Sequence, residues 1–97
     1  MSIKILASAS EDLDRGRIFY SRQGEGLGEY FLDSLASDID ALALYAGIHP
    51  KVFGYYRLLS KRFPYAVYYQ INRRHDVIVW RVLDLRQDPV RIQRALK

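Results

Sequence analysis

The chain has 97 residues, enough for one sheet with two covering helices and too few for two separate cores, so it reads as a single domain over 1–97. Its 49% hydrophobic and 13% aromatic content is that of a folded globular protein, and the lack of cysteine excludes disulfides, thiolate catalysis and cysteine-based metal sites. The net charge of +4 conceals an asymmetry: residues 1–50 carry four basic and eight acidic side chains, whereas residues 51–97 carry eleven and three. A basic second half of this kind suits an anionic partner, either nucleic acid or an acidic protein.

In chain order, Ile3 to Leu6 is a short apolar run that predicts a first strand. Ser8 followed by Glu11 has the spacing of a capping box, placing Glu11, Asp12 and Asp14 in the first turn of a helix. Leu13, Gly16, Phe19 and Tyr20 share one face of that helix. Gly24, Gly26 and Gly28 mark a helix–helix turn; no strand precedes them and no Gly-Lys-Ser/Thr follows, so they do not form a phosphate loop. A second helix is predicted from Gly28 to Ala46, with Phe31, Leu35, Ile39, Leu42 and Tyr45 inward and Glu29, Asp33, Asp38 and Asp40 outward. Gly47 and Pro50 end it.

Val52 to Lys61 predicts the next strand, with Tyr55, Arg57, Leu59 and Lys61 on one face. The stretch from Arg62 to Ile71 is the focus of the chain. Pro64 suits the first residue of a strand, because it has no N–H to give to a ladder. Alternation then places Tyr65, Val67, Tyr69 and Ile71 on one face and Ala66, Tyr68 and Gln70 on the other. Both faces are apolar enough for an interior strand. Asn72 to His75 is a compact turn and Asp76 to Leu85 a last strand. A two-residue loop at Arg73-Arg74 sets Tyr69 opposite Ile78 and Val67 opposite Trp80, which puts Trp80 in the core beneath the helices, near Phe31 and Leu35. Asp88-Pro89 opens a short helical tail carrying Arg91, Arg94 and Lys97. The resulting fold class is α+β: an N-terminal strand, a helical hairpin, then a three-stranded antiparallel meander, with the helices on one face of a four-stranded sheet. No run approaches the roughly 18 apolar residues of a membrane span, and no signal-peptide pattern opens the chain, so the expected location is cytoplasmic, away from membranes.

The chemistry-bearing residues are few. His49 and His75 read as surface loop residues, and neither has a second ligand at metal-binding spacing, so no metal and no cofactor are expected. The serines lie in no nucleophile-elbow context, and the carboxylates belong to caps and outer faces. What remains is a set of cations and one tyrosine on or near the sheet: Arg57, Lys61, Arg62, Tyr68, Arg81 and Arg86. Such groups hold phosphates or an acidic partner, and could promote metal-free RNA cleavage through the 2′-hydroxyl.

The ordered set of Arg57, then Arg62-Phe63-Pro64-Tyr65-Ala66-Val67-Tyr68-Tyr69, then Val77-Ile78-Val79-Trp80-Arg81-Val82-Leu83, then Arg86-Gln87-Asp88-Pro89 resembles the RelE/ParE superfamily of bacterial toxins. The resemblance covers nearly the whole chain. It implies the toxin of a type II toxin–antitoxin, or plasmid stabilisation, module, held by a cognate antitoxin. RelE-like members cleave mRNA in the ribosome, and ParE-like members inhibit DNA gyrase. The nucleases usually carry an arginine after the tyrosine that opens the third strand, and a catalytic tyrosine near the C-terminus. Here the first position is Ala66, and Val90 to Lys97 contains no tyrosine. The resemblance therefore favours the ParE-like branch and a toxin acting by binding a gyrase-type topoisomerase. A ribosome-dependent mRNA endonuclease and a degenerate toxin that only binds its antitoxin are the alternatives.

Overall fold

The computed structural model describes residues 2–97. Its elements are β1 (Ile3–Ile5), α1 (Ala7–Ser21), α2 (Leu27–Asp40), α3 (Leu42–Tyr45), β2 (Lys51–Val52), β3 (Tyr55–Leu59), β4 (Tyr65–Ile71), β5 (Val77–Asp84) and α4 (Pro89–Ala95). The sheet order is β1-β5-β4-β3-β2, with β1 parallel to β5 and the other pairs antiparallel. The expected α+β architecture is present, with β4 at the centre and Pro64 just before it. Strand β4 is covered on both faces of the sheet, which is why its side chains run apolar on both.

The sheet has five strands because Val52 to Lys61 is not one strand. Phe53 (φ 54°) and Gly54 (φ 85°) both adopt left-handed backbone and fold β2 back on β3. Two successive positive φ values make the turn whose twist matches a hairpin, and Gly54 reaches its value without a Cβ penalty. Lys61 consequently lies beyond β3, in the connector leading to β4.

The register of β4 and β5 also differs from the sequence-based expectation. The turn spans Asn72 to Asp76, held by Asn72 Oδ1, which accepts from the amides of Arg74 and Asp76 at 2.9 Å each. Ile71 then pairs with Val77 and Tyr69 with Val79, and an irregularity between Tyr68 and Tyr69 leaves Trp80 unopposed, so that Tyr68 pairs with Arg81 and Val67 with Val82. One residue of slip moves a side chain to the other face. The core beneath the helices therefore takes Val77, Val79 and Val82, and Trp80 packs on the opposite face beside Tyr55, ring centroids 5.5 Å apart.

The first layer over the sheet is the α1–α2 hairpin, which buries Ala9, Tyr20, Phe31, Leu35 and Ile39 against β4 and β5, with Leu42 of α3 completing the cluster. The two helices touch through glycines. A Cβ on Gly16 would lie 2.4 Å from Phe31 Cζ, and one on Gly28 would lie 2.6 Å from the carbonyl oxygen of Arg17. The inward stripe of α1 is Ala9, Asp12, Gly16 and Tyr20, which includes the predicted Gly16 and Tyr20, whereas Leu13 is half-buried against the core and Phe19 is exposed. The long second helix breaks at Ala41, and Tyr45 on α3 turns outward. Asp38, expected on the outer face, is buried and accepts from the Ser60 hydroxyl at 2.7 Å.

The Ser8–Glu11 capping box does not form. Helix α1 begins at Ala7, one residue before Ser8, with Leu6 at its cap position and no side-chain cap. Strand β1 ends where β5 continues, so the outer edge of β5 loses its strand partner after Val79. Two residues of α1, one turn apart, replace it: Ser8 Oγ donates to the Trp80 carbonyl at 3.0 Å, and the Asp12 carboxylate accepts from the Val82 amide at 3.0 Å. Burying an unpaired edge amide would be costly, and a helix laid over the edge with polar side chains at i and i+4 removes that cost.

The opposite face of the sheet is partly covered by α4. Asp88 caps this helix by accepting from the Val90 amide at 2.9 Å, and Pro89 occupies its first turn. Ile92 and Leu96 then bury against Ala66, Tyr68 and Leu83.

Candidate functional site

The six residues singled out in the sequence do not share one place: Arg57, Tyr68 and Arg81 form a cross-strand row on β3, β4 and β5, Lys61 and Arg62 lie in the β3–β4 connector, and Arg86 follows β5. Arg57 and Tyr68 are cross-strand partners on the α4 face of the sheet. Tyr68 is fully buried there, and its phenol is pushed up by burial, with the Arg57 guanidinium beside it partly opposing the shift. Arg57 is half-buried, and its Nε finds no hydrogen-bond partner among the described residues. Lys61 and Arg62 lie in the β3–β4 connector, exposed, on the side of the sheet facing α2. The Arg62 guanidinium sits 5.9 Å from the centre of the Tyr30 ring.

Arg81 and Arg86 are held by internal carboxylates. Arg81 donates through Nε and Nη2 to Asp12 at 2.7 and 2.8 Å, and through Nη1 to the Ala95 carbonyl at 3.0 Å. These charge-assisted bonds raise the pKa of Arg81. Arg86 donates through Nε and Nη2 to Asp84 at 3.0 and 2.8 Å and reaches the Tyr20 hydroxyl at 3.3 Å. Those bonds raise Arg86 and hold Asp84 low against the opposing effect of burial. A cleft of about 370 Å³ runs between α1, β5 and α4 past Asp12, Arg15, Arg81 and Asp84, where Asp12 is paired with Arg81 and Asp84 with Arg86. Tyr65, at the opening of β4, is pushed up to about 12 by burial, with Asp84 adding to the shift.

His49 was read as a surface loop residue; the fold gives it a different place. Its Nδ1 is hydrogen bonded to the Tyr69 hydroxyl, and the same oxygen accepts from the Gly47 amide at 2.9 Å. A neutral imidazole with its proton on Nε2 fits this arrangement, its Nδ1 accepting from the Tyr69 O–H while the Tyr69 oxygen accepts from Gly47. This contact ties residues 47–49 to the central strand, where Tyr69 stacks on Tyr56 at 5.1 Å. Burial lowers the His49 pKa below its ordinary value. The sign follows: the folded state binds this proton less readily than the unfolded chain, so its contribution to stability is present above the usual histidine range near 6.5 and is lost as pH falls through the folded value. Unfolding temperature is expected to fall between pH 7 and pH 5 more in the native chain than in His49→Gln, and NMR titration of the His49 ring should find a midpoint below 6.5. A midpoint at or above that value contradicts the assignment.

The sequence reading missed the contact between Asp12 and Arg81. Its signal was present: a carboxylate inside the stripe Ala9, Asp12, Gly16, Tyr20 of an inward helix face must have a partner when buried. The Tyr69–His49 contact had no such signal, because it depends on where a loop lands.

With the geometry established, comparison with known proteins is informative. No curated protein matches the sequence. Among solved structures, a chain from the chromosomal ParDE TA system from P. aeruginosa superposes with a TM-score of 0.79 at 20% identity, covering 88% of this chain and 96% of that one, a likeness of fold. The family model described as ParE toxin of type II toxin-antitoxin system, parDE, matches residues 3–89, from β1 to the first residue of α4. The match takes in most of the sequence and all five strands, and the chain therefore belongs to the ParE toxin family of type II toxin–antitoxin systems.

Proposed function

We propose that this toxin acts in the cytoplasm by binding, with a gyrase-type topoisomerase as its target, and that a cognate antitoxin neutralises it in a plasmid-stabilisation type of module. The observation that carries the reading is that, of the two arginines flanking Tyr68, Arg81 is held by Asp12, and that the remaining cations other than Arg57 are paired or set apart from Tyr68. Metal-free RNA cleavage needs a base for the 2′-hydroxyl, an acid for the leaving oxygen and cations around one phosphate. Arg81 and Arg86 are committed to Asp12 and Asp84. Tyr68 is buried under α4 and keeps its proton at neutral pH. Lys61 and Arg62 lie on the other side of the sheet from Tyr68. Arg57 is the one strand cation beside Tyr68 without a carboxylate, and arginine is a poor proton shuttle.

The test is a paired assay with purified chain. Supercoiling by purified gyrase should be inhibited, and primer extension on translating ribosomes should show no new cuts. Cuts within the A-site codon, with supercoiling unaffected, would overturn the binding reading and establish the endonuclease instead.

A further inference from the structure

We propose that the groove between α2 and the β3–β4 connector is a docking site for an acidic and apolar peptide segment of the neutralising protein. This rests on the reading above that the toxin is held by a protein partner, and it adds where and by what chemistry. The groove has two continuous halves that share Asp38 and Lys61. The polar half, about 260 Å³, is lined by Ser34, Lys61 and Arg62. The apolar half, about 350 Å³, is lined by Tyr45 and Ile48 among others.

Three observations mark this groove as a site awaiting an occupant. Ser34 is 5% exposed, and its Oγ has no hydrogen-bond partner among the described residues, although buried hydroxyls are ordinarily satisfied. Lys61 and Arg62 have no carboxylate within ion-pair distance among the described residues, whereas Arg81 and Arg86 both do. Ile48 is 73% exposed at the far end, an apolar side chain left in water on a wall that is otherwise formed.

Charge and surface type select the occupant. A carboxylate entering the polar half meets two cations, a free hydroxyl donor and one anion, Asp38, whose charge the two cations outnumber, which is charge-assisted recognition. An apolar side chain further along the same segment covers Ile48 and Tyr45. A nucleic-acid backbone fits less well: Asp38, held by Ser60, lines both halves of the groove, and the outer face of α2 adds Glu29, Asp33 and Asp40. Repeated phosphates would meet all of these carboxylates, whereas a single carboxylate seated at Lys61 and Arg62 and flanked by apolar side chains faces Asp38 alone.

The test uses the full chain with the purified product of the adjoining reading frame, together with synthetic peptides tiling that product. Binding by the native chain should be salt-sensitive, and the tile that binds should carry both a carboxylate and a large apolar residue. Lys61→Glu with Arg62→Glu should weaken binding of the full-length product by roughly tenfold or more, and Ile48→Ser should also weaken it. Arg91→Glu, on the exposed face of α4, is the control and should bind as the native chain does. All these positions are exposed, so circular dichroism should be unchanged; NMR shifts at Ser34, Ile48 and Lys61 on adding the tile give a second readout that needs no variant. Unaltered affinity in both variants would overturn the groove while leaving the antitoxin reading intact. Failure of the product to bind the native chain would overturn that reading and the groove with it. Displacement of the tile by an RNA or duplex DNA oligonucleotide, lost in the double charge variant, would overturn the peptide assignment.

Discussion

Phe31→Ala is expected to lower the free energy of unfolding by about 3–5 kcal/mol, a large part of the roughly 5–15 kcal/mol available to a domain of this size. Phe31 is completely buried and packs against three other parts of the chain. Its ring stacks on Tyr20 of α1 at 5.2 Å and meets Phe63 of the connector and Tyr65 of β4 edge-on at 5.1 and 4.8 Å. Gly16 lies directly against it, so the opposite wall of the resulting cavity is helix backbone that cannot lean in to fill the space. The check is urea unfolding, with a lower midpoint at unchanged slope. Phe19→Ala, on the same helix as Tyr20 but exposed, should shift stability by less than about 0.5 kcal/mol. A loss at Phe31 no larger than that at Phe19 would mean that the aromatic cluster closes over the gap and that α1 is not held through it.

Much of the fold was legible because strong periodicity decides it. Strand β4 could be placed from Pro64 and the alternation after it, and its two apolar faces marked it as central before any partner was known. The hairpin of α1 and α2 followed from the spacing of Phe31, Leu35 and Ile39 and from the glycines between the helices. Trp80 was misplaced for a local reason. The register of β5 depends on the turn from Asn72 to Asp76 and on one unopposed residue, neither of which alters the composition of the strand. The β2–β3 hairpin was hidden because one of its two left-handed positions is Phe53, a residue that does not announce a turn as Asn-Gly does.

The site was less legible than the fold, because charge alone does not say which cations are free. Arg57, Lys61, Arg62, Arg81 and Arg86 are indistinguishable as basic positions in the sequence, and only the placement of Asp12 and Asp84 divides them. Asp84 is two residues from Arg86 and could have been paired with it by inspection. Asp12 is 69 residues from Arg81, and the pair exists because α1 lies over the edge of β5. The same principle makes Lys61 and Arg62 the informative cations. They stand in the connector, beside a helix that supplies a hydroxyl, Ser34, and one carboxylate, Asp38, which is held by Ser60 and forms no ion pair with them.

Asp12→Ala should cost about 3 kcal/mol, the lower end of the range for breaking a buried ion pair, because the Arg81 side chain retains 21% exposure while that of Asp12 retains 5%. The variant removes three acceptor contacts at once: two to the Arg81 guanidinium and one to the Val82 amide. The amide matters separately from the charge, since it leaves β5 with an unsatisfied edge donor under a helix. Asp12→Asn keeps one acceptor oxygen of the same shape and should cost less than Asp12→Ala. Arg81→Met, which substitutes an apolar side chain for the guanidinium, should relieve part of the loss in Asp12→Ala, so the double variant should be more stable than the sum of the single changes by about 0.5–3 kcal/mol. Loss of the pair should also reach the C-terminal helix. Arg81 Nη1 donates to the Ala95 carbonyl, and Tyr55 Oη donates to that of Leu96 at 2.7 Å; these two contacts secure the end of α4 over Tyr68. When Asp12 no longer orients the guanidinium, the first contact weakens, and amide exchange at Leu96 should accelerate before exchange in β4 does. Simultaneous acceleration in α4 and β4 would show instead that Asp12 contributes only to global stability, and that the cover over Tyr68 and Arg57 does not depend on it.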